Sequence, residues 1–222
     1  MIELKSIEGV VSVMNLPLSD STQCKLLDFT KDNAALAKVD LTNTDEFSSY
    51  INHQLEGFKC GIGGYLEPRV IYSRSELFDE EEPRSLHLGV DLWAGSFSRV
   101  FAPIDGVVHS FKFNHAFGDY GPTLIIKHDL NGLIFYTLYG HLSLASLDGK
   151  YEGMKVKVGE EIAQLGEPRE NVGWPPHLHF QIIKDLQGEK GDYPGVCKPS
   201  EIEFYKENCP NPNFLLRTEI LD

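Results

Sequence analysis

Hydrophobic and polar positions follow two different patterns, which divide the chain near residue 58. In the first part, apolar residues recur at helical spacing, and polar residues at 19–22 and 43–44 can cap helix N-termini. This pattern predicts two helices, one within QCKLLDFTKDNAALAKV and one within DEFSSYINHQLEGF. We therefore expect residues 1–58 to form a helical N-terminal extension and residues 59–222 to form a second domain.

From Gly61 onward, short runs rich in β-branched and aromatic residues alternate with turn residues. The runs that predict strands are RVIYS, RVFAP, GVVHSFKF, PTLIIKH, LIFYTLYGH, EIAQLG and HLHFQII. Asn131-Gly132 predicts the tip of a tight hairpin between two of them. Long helices do not alternate with these strands, so the predicted fold is mainly β rather than doubly wound α/β. The Gly- and Pro-rich stretch after about residue 183 predicts a tail laid over the core.

Charge and composition narrow the classes of partner. The net charge is −13, from 20 basic and 33 acidic residues, which predicts binding to neither nucleic acid nor membrane surfaces. The chain starts without the features of a signal peptide and has no bilayer-spanning apolar run, so we expect a cytoplasmic location. Cys24, Cys60, Cys197 and Cys209 form no C-x-x-C pair and are predicted to be buried, idle thiols. The oligomeric state stays open.

Three segments carry side chains suited to metal ligation. SLHLGVDLWAG contains His87 and Asp91, LYGHLS contains His141, and PPHLHFQII contains His177 and His179. Side chains two or four residues apart in a strand project from the same face, so each segment predicts one apolar face and one face of potential ligands. The remaining histidines lack such settings and are predicted to be surface or structural residues. They are His53, His109, His115 and His128.

Imidazole nitrogens and carboxylate oxygens are common zinc ligands. Two histidines and one aspartate would leave a position for water, whose pKa zinc lowers toward about 7. Two further histidines would then act as base, acid or oxyanion donor. Each segment also has a structural alternative, because such histidines are common in strands and turns that bind no metal. Their joint occurrence on β-rich segments favours a metal site.

At these residues the sequence resembles the lysostaphin-type, or LytM-like, zinc metallopeptidases, which cut peptidoglycan cross-bridges and stem peptides. The family signature is H-x-x-x-D, a lone histidine after a glycine, and a final H-x-H, here HLGVD, YGHLS and HLHFQ. VFAPIDGVV and GMKVKVGEEIAQLG also resemble family segments, so the resemblance covers about residues 84–183. NVGWPPHLHFQII, GDYPGV and CPNPNFLL look more like the peptidase-like domain of class-III aminotransferase fusion proteins.

The resemblance implies roles for five residues. His87, Asp91 and His179 would bind one zinc ion per chain, while His141 and His177 would polarise the attacking water and stabilise the oxyanion. The implied fold is an antiparallel β-sheet core of the duplicated-hybrid-motif, or barrel-sandwich-like, type. The implied function is that of a zinc metalloendopeptidase acting on a peptide or muropeptide.

Substrate-binding residues are predicted from position alone. Trp174 lies on a loop beside the H-x-H segment and is expected to line the groove, whereas Tyr139 suits either the groove or the core. Arg69, Arg74 and Arg84 precede the first ligand. One of them, for which we name Arg84, would hold a substrate carboxylate bidentately, or each would form a surface ion pair.

Other functions stay open on the sequence. A non-catalytic LytM-like binding or regulatory module is the main alternative, although all five motif residues are retained. APIDGVV and VKVGEEIAQLGE also suit a lipoyl or biotinyl carrier modified at Lys155, but the following VGEEI strand leaves no room for an attachment hairpin. The N-terminal extension would either block the groove or support the sheet.

Overall fold

The structure is a computed structural model that describes residues 7–75, 77 and 81–221. The strands of this part are β1 (Cys24–Leu27), β2 (Cys60–Gly63), β3 (Leu86–His87), β4 (Val90–Trp93), β5 (Arg99–Phe101), β6 (Gly106–Asn114), β7 (Gly121–Leu130), β8 (Leu133–Gly140), β9 (Lys155–Val156), β10 (Glu161–Gln164), β11 (His177–Ile183) and β12 (Val196–Cys197). The α-helices are α1 (Thr44–Gln54), α2 (Ile202–Asn208) and α3 (Asn213–Leu216). The 3₁₀ helices are Leu36–Lys38, Ile71–Arg74, Leu144–Leu147, Pro199–Glu201 and Glu219–Leu221.

One large sheet dominates the fold. Its strand order is β1-β2-β4-β11-β8-β7-β6-β9, and every neighbouring pair is antiparallel except β1 with β2. Two smaller antiparallel sheets pair β10 with β5 and β12 with β3. The predicted mainly β fold with an antiparallel sheet core is therefore confirmed.

The hairpin between β7 and β8 is confirmed at the predicted position. Leu130 and Leu133 are the last paired residues, and Asn131 and Gly132 between them both have positive φ, 56° and 90°. Two consecutive left-handed residues match the right-handed twist of the flanking strands, which is why Asn-Gly is favoured there. Asp129 Oδ1 also accepts a hydrogen bond of 2.9 Å from the Gly132 amide.

The second of the two predicted N-terminal helices is confirmed. It is α1, and the Asn43 side chain caps it by accepting from the amides of Asp45 and Glu46. Phe47 and Ile51, four residues apart, are its buried positions. The domain boundary near residue 58 stays a prediction, and residues 1–6 of the expected extension, on which part of the signal-peptide argument depends, lie outside the described residues.

The first predicted helix is wrong. Residues 24–27 form β1 at one edge of the large sheet, and only a single 3₁₀ turn, Leu36–Lys38, follows. Asp20, Asp28 and Asn33 each accept a hydrogen bond from the amide two residues further on. Such local side-chain bonds stabilise turns in competition with a helix, and β1 gains backbone pairing with β2 instead.

The predicted strand RVIYS is also wrong, because residues 71–74 form a 3₁₀ helix. The turn buries Ile71, Tyr72 and Arg74, three positions that the alternation of a strand would not place on one side. This short helix matters for the site, since Ile71 and Tyr72 line its pocket.

The remaining expectations concern the burial of the cysteines, the tail and Tyr139. All four cysteines are free and buried, as predicted. The tail after residue 183 pairs with β3 through β12, and its buried side chains, such as Leu186 and Tyr193, cluster with Ile125 and Leu138 of the large sheet. Tyr139 is buried in the core, with its ring 5.4 Å from that of Phe180. None of the helices in the described ranges has the length and apolarity needed to cross a bilayer.

Candidate metal centre and active site

One row of four residues crosses the middle of the large sheet. Gly63 of β2 pairs with Asp91 of β4, Asp91 pairs with His179 of β11, and His179 pairs with Gly140 of β8. Residues directly opposite each other in adjacent strands share a face. The row therefore places two of the predicted metal ligands side by side, between two residues that have no side chain.

His87 completes the group of three predicted ligands. It ends β3, four residues before Asp91, and its Nε2 lies 3.2 Å from Asp91 Oδ1 and 2.9 Å from His179 Nδ1. The third distance, from His179 Nδ1 to Asp91 Oδ1, is 3.3 Å. Ligands bound tetrahedrally at 2.0–2.1 Å stand about 3.3 Å apart, so these separations suit a zinc ion.

The hydrogen bonds of the three residues leave their ligand atoms free. His87 Nδ1 donates to the Gly64 carbonyl at 2.9 Å, and His179 Nε2 donates to Gln181 Oε1 at 2.8 Å. The other ring nitrogens then carry lone pairs toward Asp91 Oδ1, which has no hydrogen-bond partner in the part of the chain that the structure describes. Three buried electron-pair donors that converge in this way fit a bound cation.

Charges near the site favour the ligand forms of these side chains. Burial lowers the pKa of His87, and with the charge of the nearby Arg69 guanidinium it brings that pKa to about 3. Burial alone would raise the pKa of Asp91, but electrostatic interactions with His87 and Arg69 outweigh burial and hold that pKa well below its usual value. A neutral imidazole and an ionised carboxylate are the forms that bind metal.

The two predicted catalytic histidines lie beside this group. His177 shares the His179 face of β11, and its ring centroid lies 4.1 Å from that of His141. His141 follows Gly140 with a left-handed backbone, φ 60°, a conformation that costs a non-glycine residue free energy and is common at functional sites. Burial lowers the pKa of His177 to about 4 and that of His141 well below its usual value.

A pocket of ≈ 580 Å³ opens onto these residues. Asp91, His141, His177 and His179 line it together with aromatic, charged and tail residues. Further lining residues are Arg69, Arg84, Asp119, Tyr120, Trp174 and Gly195. The arrangement places potential cation ligands and two neutral histidines at one open pocket, which suits metal-assisted hydrolysis.

Residues 85–192 match the sequence profile that describes Peptidase family M23. This part of the chain is a Peptidase family M23 domain. None of the curated protein sequences compared with the chain matches it.

Solved structures similar to the chain include three bacterial peptidases. A zinc-containing peptidase from Vibrio cholerae shares 29% identity over 44% of this chain and 27% of its own, with a TM-score of 0.34. A variant of the catalytic domain of the prophage-encoded M23 protein EnpA from Enterococcus faecalis shares 24% identity over 52% of this chain and 78% of its own, with a TM-score of 0.38. The catalytic domain of the antimicrobial peptidase lysostaphin from Staphylococcus simulans shares 19% identity over 69% of this chain and 96% of its own, with a TM-score of 0.40. This chain thus spans about a quarter of the Vibrio cholerae peptidase.

Both predicted substrate-binding residues lie at the pocket of the M23 domain. Trp174 is 3% exposed, and its Nε1 donates to the Asp119 carbonyl at 3.0 Å. Arg84 also lines this pocket, and its guanidinium donates to the Leu77 carbonyl. Their contact with a substrate stays a prediction.

Arg69 and Arg74 are both buried, so the surface ion pair is wrong as an interpretation of either residue. Arg69 is buried and donates to the Asp91 and Glu67 carboxylates. Arg74 is 4% exposed, and its guanidinium lies over three aromatic rings. Those rings are Phe47, Phe117 and Trp174, at 5.3, 4.8 and 4.6 Å. Cation–π contacts offset part of the cost of burying this charge.

Sequence reasoning missed two residues that support the predicted ligand His179. Gln181 accepts from it, and the strand alternation that joined His177 to His179 could have identified Gln181 as well. Tyr120 has no such local signal. Its hydroxyl lies 3.4 Å from His179 Nε2, and its ring fills the space beside Gly140, where a β-carbon would approach to 2.6 Å.

The Tyr120 side chain also excludes any β-carbon at Gly195, which its hydroxyl would overlap. Of the other histidines, His128 is buried and structural, as expected. It bonds the Asp105 carbonyl at 2.9 Å and the Thr137 hydroxyl at 2.8 Å.

Proposed function

We propose that the chain is a zinc-dependent metallopeptidase that hydrolyses peptide amide bonds. The observation that carries this proposal is that Asp91 Oδ1, without a hydrogen-bond partner within the described ranges, faces the ligand nitrogens of His87 and His179 inside an M23 domain. An ordinary buried carboxylate oxygen is hydrogen-bonded, because leaving it unpaired costs about 1–3 kcal/mol. A bound cation removes that cost.

Zinc held by these three residues would supply a water activated near neutral pH and a Lewis acid for the scissile carbonyl. The surrounding chain fixes the ligands. The Gly64 carbonyl sets the ring of His87, and the Gln181 side chain sets that of His179. Partners of this kind orient ligands and raise their basicity.

His177 is proposed as the general base. Its Nδ1 donates to the Pro175 carbonyl at 2.8 Å, which leaves the Nε2 lone pair to accept a proton. Because burial holds its pKa at about 4, the ring is neutral at pH 7 and available as an acceptor.

His141 is proposed as the donor to the developing oxyanion. Its Nδ1 is buried with no hydrogen-bond partner among the described residues, so the tautomer with the hydrogen on Nε2 avoids burying an unpaired N–H. That tautomer gives the pocket a neutral donor beside His177. Donors fixed before the reaction stabilise a tetrahedral intermediate without further reorganisation.

The substrate is proposed to be a peptide or muropeptide, on the resemblance to LytM-like peptidases. Trp174 is proposed as one wall of its binding pocket and Arg84 as the partner of a substrate carboxylate. A cytoplasmic location and the likeness to the aminotransferase fusion proteins stay predictions.

The test combines metal analysis with cleavage assays. We expect one zinc per chain and cleavage of at least one member of a peptide and muropeptide panel. His179→Ala should lose both zinc and activity, whereas His141→Ala should retain zinc and lose activity. His53→Ala, in a side chain 73% exposed, is the matched control. Failure to bind added zinc would contradict the proposal, and zinc binding without any cleavage would indicate a non-catalytic module.

A further inference from the structure

The buried Arg69 touches the metal-ligand candidate Asp91 from outside the M23 domain. The Arg69 side chain is 0% exposed, and its Nη1 donates to Asp91 Oδ2. Its Nε donates to Glu67 Oε2 at 2.7 Å. The guanidinium thus bridges two carboxylates, a geometry that its planar set of donors suits.

This bridge leaves the two oxygens of Asp91 in different states. Oδ2 is occupied by Arg69, while Oδ1 has no hydrogen-bond partner in the described part of the chain and lies near the ligand nitrogens of His87 and His179. A carboxylate free to rotate would exchange the two oxygens. With Oδ2 held, only Oδ1 faces the metal position.

We propose that Arg69 is a positioning residue, which holds the Asp91 carboxylate in the orientation that binds the metal. The inference rests on the metal site proposed above. It adds that the segment 63–69, which precedes the family match at residues 85–192, is part of that site.

The segment is shaped around Arg69. Gly63 stands next to Asp91 in the sheet, and a β-carbon there would lie 2.5 Å from Arg69 Nη2. The Gly64 carbonyl accepts from Arg69 Nη2 at 3.4 Å and from His87 Nδ1 at 2.9 Å. One backbone carbonyl thus orients the proposed ligand His87 and also Arg69, which holds the proposed ligand Asp91.

Glu67, the second anchor of Arg69, is fixed in turn. Its Oε1 accepts from the Phe29 amide at 3.1 Å, which ties the bridge to the N-terminal extension. Both ends of the Arg69 guanidinium are therefore held by groups that are themselves hydrogen-bonded or buried. A side chain restrained in this way can restrain its partner.

A purely electrostatic role makes the opposite prediction. The guanidinium repels a cation bound next to Asp91, so removing its charge would tighten zinc binding. Loss of a positioning contact weakens zinc binding instead, by about 10- to 100-fold for partners of metal ligands. The direction of the change therefore separates the two roles.

The experiment measures zinc affinity by competition with a chromophoric chelator, on the full chain. We expect Arg69→Met to weaken binding by about 10- to 100-fold. Arg69→Lys should also weaken it, because a single ammonium cannot bridge both carboxylates as the fork does. Arg99→Met is the control, since Arg99 forms an ion pair at the surface, 68% exposed, and should bind zinc as the wild type does.

Arg69→Met removes the guanidinium from the buried Asp91 carboxylate and from Glu67, so circular dichroism must show that the variant folds. Glu67→Gln is a second, isosteric variant that loosens Arg69 while keeping Asp91 and Arg69 in place. We expect it to weaken zinc binding by a smaller factor. Wild-type affinity in the folded variants, or tighter binding in Arg69→Met, would overturn the inference and leave the proposed function standing. A wild-type chain that binds no zinc would overturn both.

Discussion

The imidazole of His177 stacks on the indole of Trp93, with ring centroids 4.1 Å apart and planes inclined by 15°. The two residues are directly opposite each other in β11 and β4. Trp93 is fully buried, and the rings of Phe29 and Phe47 lie 5.2 and 6.3 Å from it. The N-terminal extension therefore supports the proposed general base through one intervening tryptophan.

Replacing Trp93 tests this support. Trp93→Leu should lower the free energy of unfolding by about 3 kcal/mol, because it leaves a cavity in the aromatic cluster. It should also lower kcat more than it changes KM or zinc content, since His177 loses the surface that orients it. Trp93→Phe keeps an aromatic face and should show a smaller loss. Chemical denaturation and steady-state kinetics measure both effects, and a wild-type kcat in folded Trp93→Leu would rule out positioning by the stack.

Removing residues 1–58 should destabilise the chain rather than activate it. The deletion takes away β1, which pairs with β2, and the two phenylalanines that pack on Trp93. Within the described residues, nothing from 7–58 lines the pocket, so residues 7–58 have no blocking contact there to release. Phe47→Ala, a milder change, should cost about 3–5 kcal/mol of stability. Thermal unfolding and peptidase assays decide the matter, and a folded, more active deletion would show inhibition instead.

Two substitutions of Trp174 separate its role as a wall of the pocket from the contribution of its hydrogen bond. Trp174→Phe loses the bond from Nε1 to the Asp119 carbonyl and should cost about 1 kcal/mol of stability, with little change in KM. Trp174→Ala removes the pocket wall and should raise KM in addition to costing about 3–5 kcal/mol. Zinc content should not change in either variant. An unchanged KM in folded Trp174→Ala would remove this residue from the substrate site.

The buried His128, which is not part of the candidate metal centre, should make the stability of the chain depend on pH. Burial lowers its pKa from 6.5 to about 4, so below pH 6.5 the unfolded chain takes up a proton that the folded chain does not. The contribution of His128 is complete above pH 6.5, decreases as pH falls toward 4, and levels off below that. The total loss is about 3 kcal/mol, at 1.36 kcal/mol per pKa unit.

The comparison variant is His128→Gln, which cannot take up this proton. Its free energy of unfolding should fall by about 3 kcal/mol less than that of the wild type between pH 6.5 and 4. Denaturant titrations at several pH values measure the difference. Parallel pH profiles for the two proteins would contradict the assignment.

Strand alternation predicts which face of each strand carries the site residues, but not which strands lie next to each other. It placed His177 and His179 together because that relation is local to β11. The pairing of His179 with Asp91 depends on which strand lies beside β11, and that is set by the packing of the whole sheet. The contact of Arg69 with Asp91 is unpredictable for the same reason, because the two residues lie 22 positions apart in sequence.

The N-terminal extension shows a different limit. Apolar spacing predicted a helix across residues 24–27, where the structure has β1. The same spacing was correct for α1, which has a clear Asn43 cap and no competing turns within it. Where side chains such as Asp20 and Asn33 bond their own backbone, spacing alone cannot decide between a helix and a strand with turns.

The contact between Tyr120 and Gly195 implies a rule of coupled substitution among related sequences. The tyrosine occupies the volume that any side chain at position 195 would need. A relative with alanine or a larger residue at 195 should therefore carry a side chain smaller than tyrosine at 120, and one with tyrosine at 120 should keep glycine at 195. Two positions 75 residues apart would then vary as a pair, and the breadth of the pocket floor beside His179 would change with them.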